Sequence, residues 1–101
     1  MYMYMLEYHV KNDRIQEFEA AYGINGKWVQ LFKQGDGYQG TELHSNLENK
    51  QRYVTINYWA SQKACETFRC QFAKEFKALD EACESLTKRT LSLGSFCLCQ
   101  P

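Results

Sequence analysis

Apolar residues recur along this chain with two different periods, and each change of period marks an element. Residues 2 to 10 alternate, with Tyr2, Tyr4, Leu6, Tyr8 and Val10 on one face and Met3, Met5, Glu7 and His9 on the other, which is the period of a β-strand. Both faces are largely apolar, so the strand is expected inside a sheet whose second face is also covered. Ile15, Phe18 and Tyr22 then take helical spacing. Asp13 and Gln16 stand where a capping box would satisfy the unpaired N–H groups of the first turn. Gly23 to Gly26 interrupt the pattern, and Trp28, Leu31 and Phe32 resume it as far as Gly35, a C-terminal stop. One broken helix or two short ones result, and the aromatic turns flanking the break either line a cavity or pack over the sheet.

A glycine-containing loop leads into a second strand, Tyr38 to Ser45. It is not a phosphate loop, because no Lys-Ser/Thr pair or helix start follows its glycines. The third strand, Arg52 to Ala60, sets Tyr53, Thr55, Asn57 and Trp59 against Val54, Ile56 and Tyr58. Ser61 can cap the helix that follows. There Cys65, Phe68, Phe72, Phe76, Leu79, Cys83 and Leu86 form a stripe at spacings of three and four, with Lys63, Glu66, Lys74, Lys77, Glu81 and Glu84 off it and a break expected near Asp80. A fourth strand, Arg89 to Cys99, sets Leu91, Leu93, Ser95 and Cys97 against Ser92, Gly94, Phe96 and Leu98. The order β-α-β-β-α-β predicts a single α+β domain over residues 1–101 with a ferredoxin-like, four-stranded antiparallel sheet and helices on one face. The other face keeps an apolar patch, so a homodimer with the two sheets facing each other is expected.

Composition narrows the function classes. The hydrophobic share is 45%, with seven Tyr, six Phe and two Trp, as in a globular chain. Twelve basic residues balance twelve acidic ones with no basic stripe, which argues against a nucleic-acid partner. The apolar start MYMYMLEYHV lacks a basic leader and a cleavage site and is too short for a membrane span, so mature cytoplasmic sequence with no membrane partner is expected. Five cysteines without a Cys-x-x-Cys pair read as reduced thiols. Cys97 and Cys99 share a strand face but have no evident third ligand, so no metal is expected.

The run Tyr53-Val54-Thr55-Ile56, then Trp59-Ala60-Ser61, Phe68, and an aromatic helix through Phe72 and Phe76 resembles the antibiotic biosynthesis monooxygenase family of dimeric α/β barrels. The similarity runs from the first strand to Phe96. Its strand-ending Trp-x-Ser is chiefly a fold signature, with Trp packing at the strand end and Ser capping the helix. The resemblance implies a small cytoplasmic dimer with a pocket in each subunit between sheet and helices. Members of the family include cofactor-independent oxygenases of anthrone or quinol-like aromatics, haem-degrading oxygenases, and proteins without assigned activity. The haem-degrading branch uses a first-strand Asn, a helix Trp and a later His. Tyr8, Phe68 and the His-free stretch from Phe76 to Ala78 stand at those positions here, so no haem or other cofactor is implied.

Cofactor-independent oxygenation needs a dry aromatic pocket that binds an electron-rich phenol and helps remove a proton, leaving the carbanion to meet oxygen. The candidate catalytic residues are Trp59, at the family's Trp position, Asn57 on the same face, and His44, which with His9 makes up the imidazoles of the chain. Candidates for substrate contact are Tyr8, Trp28, Tyr53, Tyr58, Phe68 and Phe72; Tyr58 faces away from Asn57 and Trp59 and cannot line the same wall. Packing also accounts for Trp59 and the tyrosines, and an exposed strand pair with Glu42 accounts for His44. Two functions remain open: an oxygenase of a small aromatic substrate, which requires a cavity of roughly 300 Å³ or more, and a non-catalytic dimeric binding or stress-associated protein in which side chains fill that space.

Overall fold

The strands with the clearest alternation, β1 (Tyr2–Val10) and β3 (Arg52–Trp59), are the inner pair of a four-stranded sheet in the computed structural model, which describes residues 1–99. β2 (Tyr38–Ser45) flanks β3, and β4 (Thr87–Cys97) flanks β1. The order is β2-β3-β1-β4 and every pairing is antiparallel, the expected ferredoxin-like α+β arrangement. Helices α1 (Ile15–Tyr22) and α2 (Lys27–Phe32) make the first crossover; α3 (Gln62–Gln71) and α4 (Ala73–Cys83) make the second.

Local chemistry explains most of the boundaries. The Ser61 hydroxyl accepts from the Ala64 N–H at 3.0 Å and starts α3, as expected. The capping box does not form: Asp13 lies in a 3-10 turn, Asn12–Arg14, and α1 begins at Ile15 without a side-chain cap. The long second helix breaks at Phe72 (φ −112°, ψ 28°), not near Asp80. The break makes α4 a separate helix, and Phe72 still stacks on Phe68 across it.

Three register shifts interrupt strict alternation, one of them at the start of β4, where His9 pairs with Arg89 and Val10 with Thr87. In β4, Met5 pairs with Gly94 and Leu6 with Ser92, so Leu93 is the extra residue beside a glycine at φ +114°. Ser92 and Ser95 therefore share the helix-facing side, while Leu91 and Phe96 share the open side, and the alternation expected for this strand holds only beyond Gly94. In β2 the shift between Tyr38 and Gly40 (φ +127°) skips Gln39. Tyr38, Thr41 and Leu43 face the helices, and Gly40, Glu42 and His44 face out.

Between sheet and helices, aromatic rings form two packed clusters at opposite ends of β1 and β3. Tyr8, which pairs with Tyr53, meets Phe18 and Tyr22 with ring centroids 5.2 and 4.9 Å away. At the other end Trp59, fully buried, meets Tyr38 at 5.3 Å and Phe68 at 5.0 Å. Trp28 on α2 bridges the two, 5.9 Å from Tyr22 and 5.8 Å from Phe32.

Packing at the Trp59 end is close enough to exclude a methyl group. A Cβ on Gly35 would lie 2.6 Å from Phe68 Cδ1 and 3.0 Å from two Trp59 ring atoms. Gly35→Ala is expected to cost about 1–3 kcal/mol, as overpacking does. Urea unfolding followed by tryptophan fluorescence reads this as a lower midpoint, and an unchanged midpoint would show that the rings yield freely.

Candidate functional site

The floor of the site follows from β3. Along its helix-facing side the residues run Tyr53, Thr55, Asn57, Trp59, so two small polar side chains lie between two large rings. On β2, Thr41 and Leu43 stand opposite Asn57 and Thr55. Above these small residues the aromatic clusters leave a cavity of about 310 Å³. Tyr4, Leu6 and Tyr8 from β1 and Thr41, Thr55 and Asn57 form its sheet side. Tyr22, Trp28 and Phe32 close it from α1 and α2, and Arg69, Phe76 and Asp80 from α3 and α4.

A hydrogen-bonded chain orients the floor. The Thr41 hydroxyl donates to Asn57 Oδ1 at 2.8 Å, and the Tyr38 hydroxyl lies 2.5 Å from Thr41 Oγ1. With the Thr41 proton committed to Asn57, Tyr38 donates to Thr41, and the network assigns the amide so that Nδ2 is its remaining donor. Thr55 donates to the Tyr8 oxygen at 3.3 Å, which leaves the Tyr8 proton available. Among the described residues, two buried side-chain polar atoms lack a hydrogen-bond partner, Trp28 Nε1 and Trp59 Nε1. Trp28 belongs to the cavity wall.

The ionisable groups of the wall are biased toward donating protons in hydrogen bonds. Burial pushes the Tyr8 hydroxyl up to about 12 and drives those of Tyr4 and Tyr22 still further above the ordinary tyrosine range. Arg69 pulls Tyr4 the other way, and Asp80 adds to the rise at Tyr8. These hydroxyls stay neutral at any physiological pH. Asp80 is the one carboxylate lining this cavity among the described residues, and no histidine lines it.

Of the residues expected from sequence, the cavity brings together Asn57, Tyr8 and Trp28. Trp59, Phe68 and Phe72 sit in the packed cluster beside it. Tyr53 is buried at the other end, donating to Glu19 on α1. Tyr58 lies on the opposite sheet face, as read from its alternation, and donates to Glu42 at 3.0 Å. His44 lies there too, 3.3 Å from Glu42 and more than half exposed, across the sheet from the cavity. A strict period of two from Tyr38 would carry it inward; the bulge beside Gly40 turns it out. Sequence reading missed Thr41, Thr55, Tyr22, Arg69, Phe76 and Asp80. Thr55 was recognisable by its face, while Arg69 and Asp80 look like ordinary helix-surface charges until the break at Phe72 sets the two helices. Among the described residues no three His, Cys, Asp or Glu side chains converge as a metal site, and no helix is long and apolar enough to cross a membrane.

Comparisons with known proteins agree with the fold. A profile of the antibiotic biosynthesis monooxygenase family matches residues 1–78. A variant of SnoaB, a cofactor-independent oxygenase from Streptomyces nogalater, superposes with a TM-score of 0.82 at 19% identity over 99% of this chain and 94% of that one. A protein of Deinococcus radiodurans named for the same family gives 0.79 at 12% identity, covering 100% of this chain and 95% of that one. One from Bordetella bronchiseptica gives 0.74 at 18% identity, covering 98% and 97%. Comparison with curated protein sequences found no match.

The raised tyrosines make stability depend on alkaline pH. Between the unfolded value of about 10 and the folded value of about 12 for Tyr8, the folded chain holds protons that the unfolded chain releases. Their contribution is complete below pH 10 and is lost as pH climbs toward 12. The urea midpoint is expected to fall across that window, while absorbance at 295 nm shows part of the tyrosine set resisting ionisation until the chain unfolds. Ionisation of all seven tyrosines near pH 10 with unchanged circular dichroism would contradict this assignment.

Proposed function

The chain belongs to the antibiotic biosynthesis monooxygenase family, and on that premise we propose that it is a cofactor-independent oxygenase of a small phenolic aromatic of anthrone or quinol type. The observation that carries this reading is the open cavity of about 310 Å³, walled by aromatic rings and floored by Asn57, Thr41 and Thr55. A planar aromatic fits between the Trp28 and Phe76 rings and the sheet, with its oxygens among neutral donors. Asp80 takes the proton, in the role that sequence reading gave to His44. Asn57 Nδ2 and the tyrosine hydroxyls hold the oxygen on which negative charge collects. Trp59 keeps the strand end packed and so fixes where Asn57 stands.

The substrate itself supplies the electrons. In an anthrone the two C–H bonds of the central methylene are converted to a carbonyl; one atom of O₂ enters that carbonyl and the other leaves as water. The four electrons lost by carbon are those that O₂ gains, and no external reductant is consumed. SnoaB, whose name records cofactor-independent oxygenation, is consistent with such chemistry on this fold.

We propose further that a second copy covers the open sheet face. Met3, Met5, Val54 and Ile56 line that face half-buried, and Leu91 and Phe96 stand exposed beside them at 39% and 46%. A patch of that composition is seldom left in water. At one end Glu7, only 6% exposed, accepts from Arg52 at 2.6 and 2.9 Å and from His9 at 2.9 Å. Arg52, then His9, hold its carboxyl below the usual range.

Oxygen uptake with dithranol, corrected for spontaneous oxidation, tests the reaction. Asp80→Asn is expected to lower kcat/KM about a hundredfold, the scale of a lost general base, and Asn57→Ala about a hundred- to a thousandfold, the scale of a lost oxyanion donor. His44→Ala is expected to match wild type. Absence of any protein-dependent uptake would favour the non-catalytic binding protein, and a loss confined to His44→Ala would overturn the site assignment. For the assembly, light scattering at micromolar concentration should give the mass of two chains, and Ile56→Lys the mass of one; a single-chain mass for wild type would remove the dimer.

A further inference from the structure

Arg69 is the cation of the cavity wall and has no carboxylate partner among the described residues. Glu66 stands one turn earlier on α3, the spacing at which a helix ion pair forms, and lines a groove together with Arg69, yet the two are not paired. The guanidinium carbon lies 4.3 Å from the centre of the Phe76 ring and 5.8 Å from that of Tyr4. Contact with aromatic faces uses the π side of the guanidinium, and beyond the Tyr4 hydroxyl beside it its N–H edge is open to a planar acceptor.

The position of Arg69 matters as much as its freedom. Tyr4, Leu6 and Arg69 line the cavity and also a wider groove of about 600 Å³ that opens between α3 and β4. That groove continues past Ser92 and Ser95 to solvent. Arg69 thus stands at the junction of the aromatic cavity and a wider, shallower groove. The opposite charge, Asp80, stands one turn beyond Phe76 on α4 and acts on Tyr8, while Arg69 acts on Tyr4, four residues earlier on β1. A ligand in this cavity meets a cation near Tyr4 and a carboxylate near Tyr8.

We propose that Arg69 is a specificity-determining residue that receives a carboxylate substituent of the aromatic ligand, orienting the ring so that its acidic hydrogen faces Asp80. The guanidinium fork accepts a carboxylate with two parallel N–H···O bonds, and the neutral Tyr4 hydroxyl beside it adds a third donor. The groove lets the carboxylate keep part of its water, so the site does not need to desolvate a full charge. A carboxylate inserted the other way would meet Asp80, which rejects it by like-charge repulsion. The inference rests on the reading that the cavity binds a phenolic aromatic.

Binding of two matched anthraquinones, followed by quenching of tryptophan fluorescence, separates the two ideas. Chrysazin is neutral, and rhein is the same ring system with one carboxyl group. Wild type is expected to bind rhein roughly tenfold more tightly than chrysazin at low salt, the scale of a charge-assisted pair discounted for partial exposure, with the preference shrinking as salt is added. Arg69→Gln should bind the two alike, and Arg69→Lys, which keeps charge but loses the fork, should fall between. Equal binding by wild type, or a rhein preference that survives in Arg69→Gln, overturns the role of Arg69 and leaves the aromatic cavity standing. Failure of both ligands to bind overturns the cavity reading and this one with it.

Discussion

The site depends on one constraint, the sequence of side-chain sizes along the inner face of β3. Antiparallel pairing sends Tyr53, Thr55, Asn57 and Trp59 to the helix side in that order, large, small, small, large. The two large residues seed aromatic clusters that hold the helices at a fixed height above the sheet. The small pair cannot fill the height the rings impose, and the space that remains is the cavity. Closure and cavity therefore have one cause: the rings that support the helices also prevent them from collapsing onto Thr55 and Asn57. Interiors pack at crystal-like density, so a void of about 310 Å³ in a domain of this size is held open by its walls.

The same walls set the chemistry. Rings exclude water, and exclusion keeps the wall tyrosines protonated far past neutrality. The floor amide is fixed by Thr41 and Tyr38, so its donor is oriented before anything binds. A pocket lined by neutral donors, with one cation near Tyr4 and one carboxylate near Tyr8, suits an aromatic that carries oxygen acceptors and loses a proton. The charged pair comes from helices that the break at Phe72 separates, which gives an apparently minor irregularity a direct effect on the site.

Much of this was legible in sequence, and the exceptions have physical reasons. The faces of β1 and β3 followed from alternation because both strands are inner and regular. The Ser61 cap, the glycine interruption after Tyr22 and the four-strand order followed from local chemistry. Strict alternation failed in β2 and β4, where single-residue bulges at Gln39 and Leu93 exchange the faces. The only local sign was a neighbouring glycine, Gly40 or Gly94, and glycine also marks plain turns. His44 was a candidate as an imidazole, and the exchange in β2 sets it on the outer face. Asp80 and Arg69 escaped notice for a different reason: a charge on an amphipathic helix usually belongs to solvent, and only the tertiary position of α3 and α4 turns these two toward the cavity.

The account stands or falls on whether a phenolic aromatic enters the space above Thr55 and Asn57. Titrating ¹⁵N-labelled protein with chrysazin and following the Trp28 indole N–H and Asn57 side-chain amide resonances tests this residue by residue. Both signals are predicted to shift in step with ligand, while the backbone amides of His44 and Ile56 on the opposite sheet face stay in place. Shifts confined to the His44 and Ile56 side, with Trp28 and Asn57 unmoved, would contradict it.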